Sequence, residues 1–579
     1  MNNIFLVLKD SFLILDNREK KNYFLIVFLT MIATILETAG IALIFSFLTI
    51  VINGNLQLTI PFMNLNLVSI ENESINIILT LMIFLYLIKS IYLSFFYWYQ
   101  NKYVYNVEAN ISKKLLFGYL NLPLNFHLNI NTAELIRNIT VESGQFAGSI
   151  LQNSLEFFKN ILLLLFLIGF LIFLNFALTV SIILGLSFFG IIFQFFISKK
   201  NLMWGTDRQV LQGERIKKLQ EALQGVKTVK IFNKELFFFK RFEVLLYKIN
   251  LIRLKQTFFK NFPRIWLEFI LILGFTSIII FFFDSGKILN SLPIFGTAIV
   301  VLVRLMPATI SLINNIQHFD YSTASLYKIK EDFISIQKNK NDDQESKKLK
   351  FDNEIIFENV YYKYSHEKKY VLENINLNIK KNSSIGIYGS SGAGKSTLLN
   401  IILGLFEPTE GNIKVDNFEL KKKSMSLRSL VGYVPQDIFI IDDSIKNNIQ
   451  FGFENNKKQN NLDLLQVIDQ VGVSNLINSL KDKENTNIGA SGGRLSGVEK
   501  QRISIARAIL KETEILIFDE PTKSLDNENA KNINLLIENL TKIKTVICVT
   551  HDLSTIKNFD KIYKIENGKL ESSKLFDDN

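Results

Sequence analysis

Residues 384–405 read SIGIYGSSGAGKSTLLNIILGL, and the fold of the C-terminal half follows from them. Ser384–Tyr388 reads as a short strand and Leu398–Leu405 as a helix. Between them, Gly389-Ser390-Ser391-Gly392-Ala393-Gly394-Lys395-Ser396-Thr397 has the G-x-x-x-x-G-K-[ST] spacing in its required strand–loop–helix context. Glycines let backbone N–H groups approach phosphate oxygens, and the helix N-terminus adds a favourable dipole. Lys395 is the residue expected to reach the β- and γ-phosphates of ATP, and Ser396 the one expected to hold Mg²⁺.

Downstream, Ile515-Leu-Ile-Phe-Asp519-Glu520 reads as a buried strand ending in two carboxylates. Asp519 is placed to hold Mg²⁺ through water, and Glu520 to polarise an attacking water. Upstream, QKNKNDDQESKKLKFDN (337–353) is polar and reads as a linker. Residues 354–579 then alternate short β-rich runs with helical ones, as in an α/β domain.

Residues 1–336 have a different character. The chain has 579 residues, 48% of them hydrophobic, with 50 phenylalanines. Candidate membrane spans run at about 22–52, 74–100, 145–174, 177–198, 262–283 and 292–316. Each is long enough for a bilayer core of about 30 Å. The string ILLLLFLIGFLIFL (161–174) is the least ambiguous. Residues 53–73 contain no Lys or Arg, whereas 199–264 contain sixteen and 101–141 contain Lys102, Lys113, Lys114 and Arg137. By the positive-inside rule the connections after spans two and four, and both termini, are cytoplasmic. Asn2–Asp16 reads as a short amphipathic helix on the inner surface. The two cytoplasmic connections keep a helical pattern, and their polar midpoints, Pro123–Asn131 and Gly225–Lys234, are the expected contact surfaces for a domain below the membrane.

Composition removes other classes. The single cysteine, Cys548, excludes a disulfide framework and a Cys-rich zinc site, and four histidines leave little room for a His-rich metal centre. The first apolar run is too long for a signal-peptide core, so no cleavable signal is expected.

Four further features make the reading specific. They are Gln436 after a strand, Leu495-Ser496-Gly497-Val498-Glu499 ahead of the helix KQRISIARAIL, Ser524-Leu525-Asp526 behind the acidic strand, and His551 closing IKTVICVTH. In this order, and with the phosphate loop, they resemble an ABC transporter ATPase domain. Six spans followed by one such domain resemble an exporter half-transporter over nearly the whole chain. The fold class is therefore multi-domain, an all-α six-helix transmembrane domain with long cytoplasmic helical extensions followed by an α/β P-loop ATPase domain. The resemblance implies that Tyr364 stacks on adenine and that Gln436 senses Mg²⁺ and contacts the membrane domain. It implies that His551 contacts the γ-phosphate, that Asp526 communicates across the dimer, and that Ser496 and Gly497 cap ATP held on a partner chain. One chain holds one loop and one signature, so a homodimer is the economical assembly. The location implied is the bacterial cytoplasmic membrane, multi-pass, with the ATPase domain cytoplasmic; no nucleic-acid partner is expected.

Two departures from the family pattern stand out. Val498 and Glu499 occupy the last two places of a pentapeptide that is usually LSGGQ. Valine is expected to restrict φ and add bulk, and the carboxylate to sit close to the γ-phosphate, with slower hydrolysis or weaker ATP binding as the consequence. The preceding loop NIGASGGR (487–494) lacks the acidic residue many exporters carry.

Ionisable residues at membrane depth point to the cargo. Lys89, Arg264 and Arg304 are candidate cavity cations suited to phosphate or pyrophosphate, with Glu37 and Glu268 as the available acidic partners. Glu268 lies four residues after Arg264, and a local helix pair explains that couple equally well. The strings Phe262-Pro263-Arg264-Ile-Trp-Leu-Glu268, Val303-Arg304-Leu-Met-Pro307 and Glu37-Thr38 resemble bacterial lipid-linked oligosaccharide flippases. That resemblance implies ATP-driven transfer of a polyprenyl-pyrophosphate-linked glycan to the outer leaflet. A lipid or multidrug exporter of the same architecture is the alternative. A channel on the same scaffold is a third class, which would be expected to lose the hydrolytic residues that Glu520 and His551 supply.

Overall fold

The computed structural model describes residues 2–53, 72–174, 176–284, 288–340, 349–364, 367–420, 427–451, 464–489, 492–523 and 525–572. The chain divides into two compact units, Met1–Leu122 with Phe126–Gln337, and Pro123–Asn125 with Lys338–Asn579.

The first unit is helical among its described residues. Its long helices are Asn17–Asn53, Asn72–Asn121, Gln152–Leu174, Phe176–Gln224, Glu235–Asp284 and Ile288–Lys340, and each carries one of the expected apolar runs. Four described windows, Asn17–Gly40, Met82–Asn121, Thr132–Gly169 and Ile183–Gln224, are long and apolar enough to cross a membrane. Phe176–Gln224 has 49 residues, about 70 Å of helix and far more than a bilayer core requires. Apolar side chains such as Phe188, Ile191, Phe195 and Phe196 are exposed along its first half. That exposure suits lipid rather than water. Inside the unit, Tyr23, Ile26, Phe96, Ile111, Phe146 and Phe319 contribute to one buried cluster. Asn2–Ile14 is helical, with Val7 and Ile14 buried and Phe5 and Leu13 exposed.

The third span differs from the expected 145–174. Helical structure begins at Thr132, where the Asn131 side chain caps the Ala133 N–H, and passes through π-helical turns at Asn138–Glu142 and Ala147–Leu151. Such turns accommodate one extra residue and recur at functional sites. Here Glu142 ends the first of them, fully buried, with Arg208 Nη2 at 2.9 Å and Ser325 Oγ at 2.5 Å. Those partners come from Phe176–Gln224 and Ile288–Lys340. The same two helices meet at Gly205, where a Cβ would lie 2.1 Å from the Tyr321 carbonyl oxygen. The last helix continues to Lys340, so it enters the segment expected to be linker.

The second unit is built on two sheets. Its strands are β1 (Glu354–Tyr362), β2 (Leu372–Lys380), β3 (Ser384–Tyr388), β4 (Glu410–Val415), β5 (Phe418–Glu419), β6 (Val431–Val434), β7 (Ile515–Asp519), β8 (Thr545–Val549), β9 (Lys561–Glu566) and β10 (Lys569–Ser572). The order β2-β1-β4-β5 forms an antiparallel sheet, and β10-β9-β3-β8-β7-β6 forms a six-stranded one. In the latter, β9, β3, β8, β7 and β6 are parallel neighbours. Sequence period explains the difference. β2 alternates apolar and polar residues, burying Ile375, Leu377 and Ile379, while β8 (TVICV) is buried at all five positions, as befits a parallel strand covered on both faces. Pro123–Asn125 belong to this unit: Leu124 packs against its core and the Tyr362 hydroxyl donates to Asn125 Oδ1 at 3.2 Å. The other midpoint holds a short helix, Val226–Ile231, with Val226, Ile231 and Phe232 exposed.

Candidate functional site

Parallel strands place their C-terminal ends along one edge, where ligands of open α/β sheets bind. Three adjacent strands meet there. β3 runs in register with β8, pairing Ile387 with Val549, and β7 pairs Asp519 with the same Val549. Whatever follows Tyr388, Asp519 and Val549 therefore converges.

After β3, Gly392 and Gly394 adopt φ of 81° and 106°, left-handed values that cost a side chain strain. At Gly389 a Cβ would lie 2.2 Å from the Ile565 carbonyl oxygen. The loop delivers Lys395 at the start of helix Lys395–Ile402. Lys395 folds back, and its Nζ donates to the carbonyls of Gly389 at 2.7 Å and Ser390 at 2.8 Å. Burial lowers its pKa, opposed by the charges of Glu520 and Asp519. Two residues on, the Thr397 hydroxyl shares a 3.1 Å hydrogen bond with the hydroxyl of Tyr364, whose ring meets Tyr362 and Phe406 edge-on.

β7 ends at Asp519, whose Oδ2 accepts from the Tyr433 hydroxyl at 3.2 Å. Burial raises the Asp519 pKa, and the neighbouring Glu520 adds to it. Glu520 has φ of 49°, a left-handed conformation uncommon for non-glycine residues. Its N–H donates to the Val549 carbonyl at 2.8 Å. Its carboxylate lies between His551 Nε2 at 3.0 Å and Lys523 Nζ at 2.9 Å. The structure thus brings Lys395, Asp519, Glu520 and His551 to one edge. Gln436 follows β6 in an exposed position.

Other expected residues serve as helix caps. Ser496 caps Gly497–Leu510: its Oγ accepts the Glu499 N–H at 3.3 Å, and Glu499 Oε2 accepts the Ser496 N–H at 2.6 Å. This reciprocal pair is a capping box. Val498 lies in the first turn with helical backbone, where a β-branched residue meets no forbidden φ, and Glu499 turns back onto its own helix. Asp526 caps Asn527–Thr541, and the Asn529 side-chain amide, followed by the Asn529 N–H, holds its carboxyl below the ordinary carboxylate range. Ser524, and Ala490 and Ser491 of the preceding loop, lie outside the described residues.

In the membrane unit, Arg264 pairs with Glu268 at 3.2 Å, with the two side chains 70% and 49% exposed. Lys89 Nζ lies 5.0 Å from the Tyr86 ring centroid. Arg304 sits within Ile288–Lys340, but its side chain lies outside what is described. Glu37 pairs with Lys159, whose Nζ is 3.0 Å from Glu37 Oε1 and 2.7 Å from the Tyr97 hydroxyl. Lys159 is not among the expected cations, although it sits mid-span at 145–174 and is as visible in the sequence as Lys89. Lys523 is a second omission, legible from its i,i+3 spacing to Glu520.

Both units match known sequence families. Residues 23–307 match the ABC transporter transmembrane region, and residues 372–523 match the ABC transporter family. The ATP-dependent lipid A-core flippase of Methylobacillus flagellatus is 26% identical over 474 residues, covering 82% of this chain and 79% of that protein. The protein of the same name from Francisella tularensis is 36% identical over 230 residues, 39% of this chain and 37% of its own length. A bacterial Atm1-family ABC exporter with ATP bound superposes with a TM-score of 0.73 at 21% identity, covering 96% of each chain. That likeness establishes the fold.

Proposed function

We propose, from the premise that this chain belongs to the ABC transporter family as an exporter-type half-transporter, that it works as a homodimeric flippase for a glycolipid. The chain is membrane-embedded, binds nucleotide and couples ATP hydrolysis to transport. The cargo we favour is a polyprenyl-pyrophosphate-linked oligosaccharide, carried from the inner to the outer leaflet of the bacterial cytoplasmic membrane. The observation that supports the flippase reading is that relatives matched across both units are named ATP-dependent lipid A-core flippases. The same observation favours a second cargo, a lipid A-core-type glycolipid.

The ATP chemistry follows from the converging edge. Lys395 exchanges the carbonyls of Gly389 and Ser390 for the β- and γ-phosphates, while the N–H groups from Gly389 to Thr397 cradle phosphate oxygens. Tyr364 offers its ring to adenine. Glu520 takes the proton of the attacking water, with His551 and Lys523 fixing its two oxygens. His551 then faces the γ-phosphate. Ser496, Gly497 and Asp526, held by their helix caps, complete the site on the partner chain, so each chain needs a second copy.

Ser396, Gln436 and Asp519 would hold Mg²⁺. They offer hydroxyl, amide and carboxylate oxygens, the donors a hard cation prefers, and Tyr433 already orients Asp519. When bound, Mg²⁺ neutralises charge developing on the β- and γ-phosphates.

ATPase activity in lipid nanodiscs tests the proposal. The rate should rise with a polyprenyl-pyrophosphate glycan and not with a neutral amphiphile. Equal stimulation by both would make the chain a broad lipid or drug exporter.

A further inference from the structure

We propose that a cavity among helices Gln152–Leu174, Glu235–Asp284 and Ile288–Lys340 binds an uncharged, hydroxyl-rich group, the sugar of a glycolipid headgroup, rather than an anion. This rests on the reading of the chain as a glycolipid transporter and assigns the part of the cargo that one site recognises.

The cavity holds about 550 Å³, within the size range of small-molecule sites. Its formal charges cancel, because Lys260 and Arg264 on one helix are matched by Glu156 and Glu268. Arg264 is already engaged by Glu268 at 3.2 Å. A pyrophosphate entering here would meet two carboxylates beside two cations, one of which is already paired, which is a poor anion site.

What the cavity leaves unsatisfied is a mixed set of polar atoms. Asn314 Oδ1, Asn315 Nδ2 and His318 Nδ1 are buried without a hydrogen-bond partner, and all three residues line the space. Asn315 is 2% exposed. Unpaired buried polar atoms are costly, and they accumulate where a ligand completes them. An amide oxygen needs a donor, an amide nitrogen needs an acceptor, and a neutral imidazole nitrogen takes either according to its tautomer. Rotating both asparagine amides by half a turn exchanges their roles and keeps one donor and one acceptor. A phosphate supplies acceptors, an ammonium supplies donors, and a hydroxyl supplies both. Adjacent hydroxyls on a sugar ring therefore match the set where neither ion does. Met306, Pro307 and Ile310 form an apolar wall for the C–H face of such a ring. Ser311 beside them accepts from Asn160 Nδ2 at 2.8 Å, which fixes its hydroxyl.

The test uses the full chain in lipid nanodiscs, with Asn315→Leu, Asn314→Leu and the conservative Asn315→Gln. A free N-acetylhexosamine disaccharide is the first probe, read by saturation-transfer NMR without any transport step. The wild type should give transfer, both leucine variants should lose it, Asn315→Gln should recover part of it, and inorganic pyrophosphate should not displace the sugar. Unchanged basal ATPase shows that the variants are folded. Next come polyprenyl pyrophosphate carrying that disaccharide, an acylated glucosamine disaccharide and sugar-free polyprenyl pyrophosphate. For the glycolipid that is the cargo, half-maximal ATPase stimulation should need about tenfold more lipid in the leucine variants. The response to the sugar-free lipid should not shift. Absence of transfer in the wild type, retention in both leucine variants, or displacement by pyrophosphate overturns the assignment. Sugar binding as expected with neither glycolipid stimulating the ATPase leaves the site standing and removes the transport reading. Normal stimulation that the leucine variants do not alter does the reverse.

Discussion

Oε1 of Glu520 stands 3.0 Å from Nε2 of His551, and this contact joins the ends of two neighbouring strands, β7 and β8. The other oxygen of Glu520 is taken by Lys523 at 2.9 Å. A carboxylate held at both oxygens, on a backbone with φ of 49°, has little freedom to turn away. Glu520→Gln keeps the shape and removes the charge. Hydrolysis should fall by about 10²–10⁴ while ATP still binds, measured as phosphate release against retention of labelled nucleotide. His551→Ala should also slow hydrolysis, leaving Lys523 as the remaining tie.

Tyr364 separates stacking from hydrogen bonding. Its hydroxyl is bonded to Thr397, and its ring is the proposed adenine platform. Tyr364→Phe should leave the ATP concentration for half-maximal activity near wild type. Tyr364→Ala should raise it about tenfold, as loss of a base-stacking ring does, with the maximal rate retained. A titration of ATPase rate against ATP distinguishes the two.

The signature helix gives a prediction opposite to the one its sequence invites. Glu499 closes the box with Ser496, and Val498 is helical. Glutamine can fill the same capping position, so Val498→Gly combined with Glu499→Gln should leave the ATPase rate close to wild type. Glu499→Ala should cost about 1 kcal/mol of stability, and Ser496→Ala a similar amount, seen as a lower midpoint in denaturation of the full chain. A large rate increase in the double variant would show that the pentapeptide restrains catalysis.

Glu142 and Arg208 are buried together, 2.9 Å apart, with Ser325 on the same carboxylate oxygen. Removing one member of a buried pair strands the other charge, at a cost of about 3–5 kcal/mol. Glu142→Ala should therefore lower the thermal midpoint in detergent sharply. Replacing both, as Glu142→Met with Arg208→Met, should recover only part of the loss, because the buried Arg137, 3.8 Å from Glu142, still loses its partner.

What could be read from the sequence was local. The phosphate loop, the acids at 519 and 520, and the pair Arg264–Glu268 each lie within a few residues, where strand–loop–helix order or an i,i+4 spacing fixes geometry. The bond from Tyr433 to Asp519 depends on the parallel pairing of β6 with β7 across more than eighty residues, and no local pattern announces it. The partner of Glu37 is set by helix packing, so Lys159 takes a carboxylate that the sequence leaves open to several cations. The π turns before the third span were equally hidden, because their register answers to Arg208 and Ser325 on other helices. Val498 shows the converse: family comparison marks it as unusual, while its helical backbone makes it unstrained.

The most direct test of the account is leaflet-resolved transport in proteoliposomes. The purified chain should move a polyprenyl-pyrophosphate glycan, or a lipid A-core-type glycolipid, across the bilayer only with ATP. Glu520→Gln should abolish the movement, and a neutral amphiphile should not be carried. Transfer of the glycolipid at the same rate without ATP, or in Glu520→Gln, would contradict the account.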